Sequence, residues 1–183
     1  LRCEGCASVD TWDRDAGAVV PVSALAETIE HALAQIDGEG LTITGGEPTD
    51  QAEPLVDVVT ALRSVPRWRD LDVLVFTGRT RAAATRRAPH LVALADVLVA
   101  GPYDARRPGS GRLLASGNQT LHVAPHAAER YGEWLAESGP ALQVVVDDGD
   151  IQLVGLPRPG DLARFRAGLV SRGVSLEEVS WRS

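Results

Sequence analysis

"LTITGGEP", Leu41 to Pro48, is the stretch on which the reading of this chain turns. Leu41, Thr42, Ile43 and Thr44 are aliphatic or β-branched and read as a short strand, which two glycines then stop. A short strand that ends on glycine and runs into a helix is the opening of a βαβ unit. Both flanks agree. Upstream, "SALAETIEHALAQI" (Ser23 to Ile36) sets Leu25, Ile29, Leu33 and Ile36 on one helical face, with Ser23 available as its cap. Downstream, "QAEPLVDVVTALRSV" turns Leu55, Val58, Val59 and Leu62 to one side. "LDVLVFTG" and "ADVLVAG" are apolar β-rich runs, as expected of parallel strands covered on both faces. "RTRAAATRRA" between them reads as a helix with few apolar anchors. Helix and strand alternate, and each strand ends on glycine, so the predicted fold is α/β with a parallel sheet.

After Gly101 the texture changes. "PYDARRPGSGRLLASGNQ" reads as a long surface loop, and loops of that length are uncommon unless functional or disordered. "TLHV" is a further strand, and "HAAERYGEWLAES" a helix with Tyr131, Trp134 and Leu135 inward. "ALQVVVDDGDIQLVGLP" reads as a β-hairpin turning at Asp148-Gly149, and "DLARFRAGLVSRG" as a final helix. The predicted organisation is a core over residues 1–138 and an accessory hairpin and helix over 139–183.

Composition narrows the function. The net charge of −7 lacks the clustered positive charge of a nucleic-acid surface. No apolar run approaches the roughly 18 residues of a membrane span. All 18 basic residues are arginine, which fits a GC-rich coding bias rather than a function. The only two cysteines are three apart, a poor disulfide framework, so a cytoplasmic, reduced chain is expected.

Those cysteines, Cys3 and Cys6 in "LRCEGCASVDTWD", can turn two thiolates toward one metal or cluster. A redox dithiol needs the pair at a helix N-terminus after a strand. A zinc site needs two further ligands, for which His122 and His126 are distant candidates. Two incidental cysteines are the third alternative. "TITGGEP" adds a second feature. Ligands of α/β sheets bind at the C-terminal ends of the strands, where glycines let a backbone come close. Glu47 there is a carboxylate able to meet an ammonium, although a Gly-Gly-Glu-Pro is also an ordinary turn. "DDGD" (Asp147 to Asp150) reads as a hairpin turn rather than a calcium loop, and His31 and His90 as solvated.

Taken in order, "CEGC", "DTWD", "TGGEPTDQ", "LVFTGR", "DVLVAGPY" and "SGNQ" resemble the radical S-adenosylmethionine superfamily. The resemblance is closest to the anaerobic ribonucleotide reductase activating type among the glycyl-radical activating enzymes, and covers Leu1 to about Gln119. It implies an incomplete (β/α) barrel of the radical SAM type, followed by the C-terminal hairpin and helix. It implies a [4Fe-4S] cluster held by a Cys-x3-Cys-x2-Cys motif, of which Cys3 and Cys6 match the second and third cysteines. The first is expected at position −1, before Leu1. It implies that S-adenosyl-L-methionine is bound by Gly45, Gly46 and Glu47, with Thr77 and Gly78 lining the same pocket. Ser116, Asn118 and Gln119 match a signature expected to position cofactor or loop.

The activity implied is reductive cleavage of S-adenosylmethionine to a 5′-deoxyadenosyl radical by a flavodoxin- or ferredoxin-type reductant. The radical then takes a hydrogen from a backbone glycine of a glycyl-radical enzyme. A peptide- or small-molecule-modifying radical enzyme and a degenerate, non-catalytic cluster-binding protein are the alternatives. One departure stands out: the family often carries Asp before Gly-Pro, and here the residue is Ala100. Arg79, Arg81, Arg86, Arg87, Arg106, Arg107 and Arg112 fall in two segments near the proposed mouth, a solvated face or a dock for an acidic partner.

Overall fold

The computed structural model describes residues 13, 17–109, 112–136, 142–147, 150–155, 157 and 160–176. Cys3 and Cys6, and with them the cluster assignment, lie outside the described residues. Helix α1 spans Val22–Ile36 and strand β1 Gly40–Ile43; a 3₁₀ turn, Pro48–Asp50, leads into α2, Ala52–Ser64. A second 3₁₀ turn, Pro66–Trp68, precedes β2, Asp72–Thr77. Then come α3 (Arg81–Arg87), α4 (Pro89–Leu94), β3 (Val97–Ala100) and β4 (Thr120–Val123). A third 3₁₀ turn, Pro125–Ala127, opens α5, Ala128–Ala136. The hairpin β5 (Leu142–Asp147) and β6 (Asp150–Gly155) and helix α6 (Asp161–Val170) follow.

The main sheet has the order β1-β2-β3-β4. The first three strands are parallel, with Leu41 opposite Val73 and Leu74 opposite Val97. β4 runs antiparallel to β3, pairing Ala100 with Thr120. The β5–β6 hairpin forms a two-stranded sheet of its own.

Two apolar clusters fix the helices. Ile43, Val73, Val75, Leu98 and Ala100 occupy alternate positions of the three parallel strands and therefore share one sheet face. Val59 of α2 and Leu91 of α4 belong to the same buried cluster. α1 packs on α2 through Ala26 and Leu33 against Val58 and Leu62, closed below by Trp68 and Leu71. Full burial of a Leu or Val side chain contributes about 1.5–3 kcal/mol, so these clusters dominate the stability of the sheet. The opposite face is less covered. All four residues of β3 are buried, but Leu74 and Phe76 of β2 are half-buried and Thr42 of β1 is exposed. Complete cover on both faces thus holds for β3 and not for its neighbours.

Three local expectations are corrected. Ser23 does not cap α1: the helix begins one residue earlier after Pro21, with no side-chain cap. Pro21 cannot donate a backbone hydrogen bond and carries the fixed φ suited to a helix entry. Ile36 is exposed, because the chain leaves the helix immediately after it through left-handed Asp37. Trp134 is also exposed rather than inward, meeting Tyr131 edge-on at 6.2 Å and lying under the Arg112 guanidinium at 5.2 Å. Helix α4 is an addition. Pro89 ends α3 and restarts a helix at its own first turn, turning Leu91 into the core.

Among the described residues, no helix is long and apolar enough to cross a membrane.

Candidate functional site

The C-terminal ends of β1 and β2 meet at Glu47. β1 ends at Ile43, and the chain turns through Gly45, whose φ of 87° lies in the left-handed region that favours glycine. Among the described residues, apart from Gly45 and its chain neighbours, no atom lies within 4 Å of where a Gly45 side chain would begin. Two residues on, Glu47 turns back under the sheet edge and is 7% exposed. Its Oε1 accepts from Thr49 N at 3.1 Å, Thr49 Oγ1 at 2.7 Å and Thr77 Oγ1 at 2.7 Å. Its Oε2 accepts from Gly78 N at 3.0 Å. One carboxylate therefore joins the loop after β1 to the end of β2.

Arg79 extends the network. Its Nε donates to Thr49 Oγ1 at 2.8 Å, and its backbone N to Thr77 Oγ1 at 3.1 Å. Its guanidinium also reaches Asp50 Oδ1 at 2.9 Å, where Arg87 joins at 2.7 Å. Burial pushes the Asp50 carboxyl up, but the bonds and charges of the two arginines outweigh it and hold the group below its ordinary value.

The same edge continues across the sheet. Gly101 N donates to Thr77 O at 3.1 Å, and Gln119 Nε2 to Gly101 O at 3.2 Å. Ser116 is fully buried; its N donates to Gln119 Oε1 at 3.0 Å, and its Oγ accepts from Asp104 N at 3.2 Å. Asn118 Nδ2 donates to Pro102 O at 2.7 Å, while its Oδ1 is buried without a hydrogen-bond partner among the described residues. "SGNQ" thus latches the long loop against the end of β3. Beside it lies an open cleft of about 500 Å³ lined by Pro102, Tyr103, Asp104, Arg106, Arg107 and Asn118.

Gly45, Gly46, Glu47, Thr77 and Gly78 are accordingly brought to the ends of two adjacent strands, and Ser116 and Asn118 stand further along that edge. Ala100 is buried and opposite Thr77, in the place where the resembling family often carries a carboxylate. Of the seven arginines near this edge, Arg79 and Arg87 pair with Asp50, and Arg106 and Arg107 with Asp104. Sequence reading missed Thr49, Asp50 and Arg79 as members of the network. Only the threonine two residues after Glu47 hinted at them, at the spacing where its amide and hydroxyl can both reach back to the carboxylate.

The histidines have separate partners. His122 meets Arg81 at 3.4 Å and Thr120 at 2.9 Å; burial first, then the Arg81 charge, holds it below the ordinary imidazole value. His126 meets Asp96. Among the described residues, no group of three or more metal-ligating side chains gathers. His31 and His90 are exposed. At the opposite edge of the sheet, the Asp72 carboxylate accepts from Tyr131 at 2.8 Å and from Arg130 at 2.6 Å. Burial and that acid raise the Tyr131 phenol far above its usual range.

Comparison with known proteins adds two findings. Residues 1–122 match the model of a family described as "4Fe-4S single cluster domain". The chain is also 26% identical over 122 residues to the anaerobic ribonucleoside-triphosphate reductase-activating protein of Enterobacteria phage T4, across 66% of this chain and 75% of that protein. No solved structure matches.

Proposed function

The chain belongs to the 4Fe-4S single cluster domain family, and from that premise we propose that it is a radical S-adenosylmethionine enzyme of the glycyl-radical activating type. The observation that carries the reading is the meeting of Gly45, Gly46, Thr77 and Gly78 on one sheet edge inside the family match. The phage protein supports it, since its name describes activation of an anaerobic ribonucleoside-triphosphate reductase. The three parallel strands, with their glycine-bearing ends together, support reading the sheet as part of an incomplete (β/α) barrel with a C-terminal accessory unit.

The edge fits S-adenosylmethionine. Among the described residues, room is left at Gly45 beside a backbone that a side chain would otherwise fill. Gly45 and Gly46 offer backbone polar groups to the methionine end, and Thr77 and Gly78 form the adjoining wall. The Ser116–Gln119 latch holds the loop that flanks them. In this reading Cys3 and Cys6 are cluster ligands. Bound there, the cluster and S-adenosylmethionine would supply one-electron radical chemistry, for which a partner's backbone glycine would be the hydrogen donor. The chain's own part is to hold the cofactor in one orientation at a rigid strand end and to keep side reactions out.

Anaerobic reconstitution of the natural protein tests this. About four irons per chain and release of methionine and 5′-deoxyadenosine on reduction are expected. Iron binding with no cleavage would leave a cluster protein without this activity.

A further inference from the structure

We infer that Glu47 is a positioning residue that sets the Gly45–Gly46 backbone, rather than the group that meets the cofactor's ammonium; this rests on the function proposed above. A carboxylate has about four acceptor sites. Four internal donors already point at Glu47, three on Oε1 and one on Oε2. The carboxylate is buried beneath the edge, whereas at Gly45 two residues earlier no described residue beyond its chain neighbours comes within 4 Å of where a side chain would begin.

The donors are themselves fixed. The Thr49 and Thr77 hydroxyls each have one proton, and each gives it to Oε1. Each oxygen in turn accepts from Arg79, Thr49 from the guanidinium and Thr77 from the backbone amide. Reversing either hydroxyl would break two bonds at once. Glu47 is therefore locked from both strands, and the loop bearing Gly45 and Gly46 inherits its position from that lock. Oε1 is saturated by its three donors, so an ammonium could reach only the second acceptor site of Oε2, on a residue that is 7% exposed.

The two roles predict different behaviour for Thr77. If Glu47 meets the ammonium directly, Thr77→Val frees Oε1, and affinity for S-adenosylmethionine stays the same or tightens. If Glu47 acts through the loop, Thr77→Val and Glu47→Gln both weaken binding, by about ten-fold or more. Thr77→Ser restores the donor and should bind within about two-fold of the wild type. The double variant should bind about as well as the weaker single variant, because both remove the same lock.

The experiment is anaerobic titration of S-adenosylmethionine into the reconstituted full chain and these four variants, below their melting temperatures. Amide hydrogen exchange on the cofactor-free protein runs alongside. The Gly78 and Thr49 amides should be protected in the wild type and lose protection in Glu47→Gln. Loss of binding in Glu47→Gln with none in Thr77→Val overturns the inference. So does a Gly78 amide that exchanges in the wild type as fast as an open loop. If the wild type binds no S-adenosylmethionine, the proposed function fails, while the exchange data still decide whether Glu47 locks the loop.

Discussion

His126 Nε2 lies 2.6 Å from Asp96 Oδ1, joining a side chain that is 66% exposed to one that is 5% exposed. Asp96 stands just before β3 and its other oxygen is equally engaged, accepting from Val73 N at 2.7 Å and Arg63 at 3.0 Å. Arg63 also donates to Leu71 O at 2.8 Å, so one acid fastens α2, the start of β2 and the turn before α5.

Asp96→Ala should destabilise the chain much more than His126→Ala. The aspartate change leaves the buried Val73 amide without an acceptor, which alone costs about 1–3 kcal/mol. The histidine is largely in water, where such pairs contribute about 0–1 kcal/mol. Urea unfolding of the two variants measures the difference. Equal losses would mean that His126, not the buried amide, carries the effect.

Gly101→Ala should loosen the loop latch. Gly101 has a φ of 129°, and an added Cβ would sit 3.2 Å from Gln119 Cα and 3.3 Å from Asn118 O. Both neighbours are backbone and cannot swing aside, so a cost of about 1–3 kcal/mol is expected. Faster exchange of the Gly117 and Gln119 amides should accompany it, since both bond within the latch at 2.7 Å and 3.1 Å. A stable variant with an unchanged loop would remove the latch from the account.

Asp50 gives the stability a pH dependence. Its folded-state carboxyl lies below the ordinary value of 3.8, so the stabilisation is fully present above that value. It is lost as the pH falls through the lowered value. Thermal melts of wild type and Asp50→Asn should therefore be separated at neutral pH and draw together in acid. A gap that persists unchanged in acid would show that the two arginines do not act on Asp50 through its charge.

Cys3→Ala and Cys6→Ala should each abolish retention of a four-iron cluster, because such clusters use cysteine at nearly every iron. Iron and sulfide analysis with visible absorbance after anaerobic reconstitution reads the effect. Full iron content in either variant would assign the cluster to other ligands.

The helix–strand order was legible because apolar spacing reports it directly: 3.6 along α1 and α2, continuous along β2 and β3. The direction of β4 was not. "TLHV" has the same composition in either direction, and only the path of the 101–119 loop decides which it takes. Helix α4 is five residues plus Pro89, too short for a periodic signal. The meeting of the glycine-bearing strand ends followed from the predicted parallel sheet. The engagement of Glu47 did not, because it depends on Thr77, thirty residues away, and on the Arg79 that orients both threonines. The exposure of Ile36 and Trp134 marks the same limit: periodicity gives a face but not whether anything covers it.

The separate hairpin has a kinetic consequence. Its closing pair, Asp147 and Asp150, are three residues apart in the chain, whereas Gly40 and Asp72 of the main sheet must meet across a whole crossover helix. A hairpin closes in about 1–10 μs, while pairings between distant segments wait on loop closure. During synthesis the main sheet has a head start, because its strands leave the ribosome before the hairpin does. Dilution from denaturant reverses that order. The hairpin then forms first, with Val144, Val146 and Val154 exposed, beside apolar β2 and β3 strands that have not yet paired. Refolding yield should therefore fall steeply with protein concentration, and expression in cells should recover native protein that renaturation loses to strand-edge association.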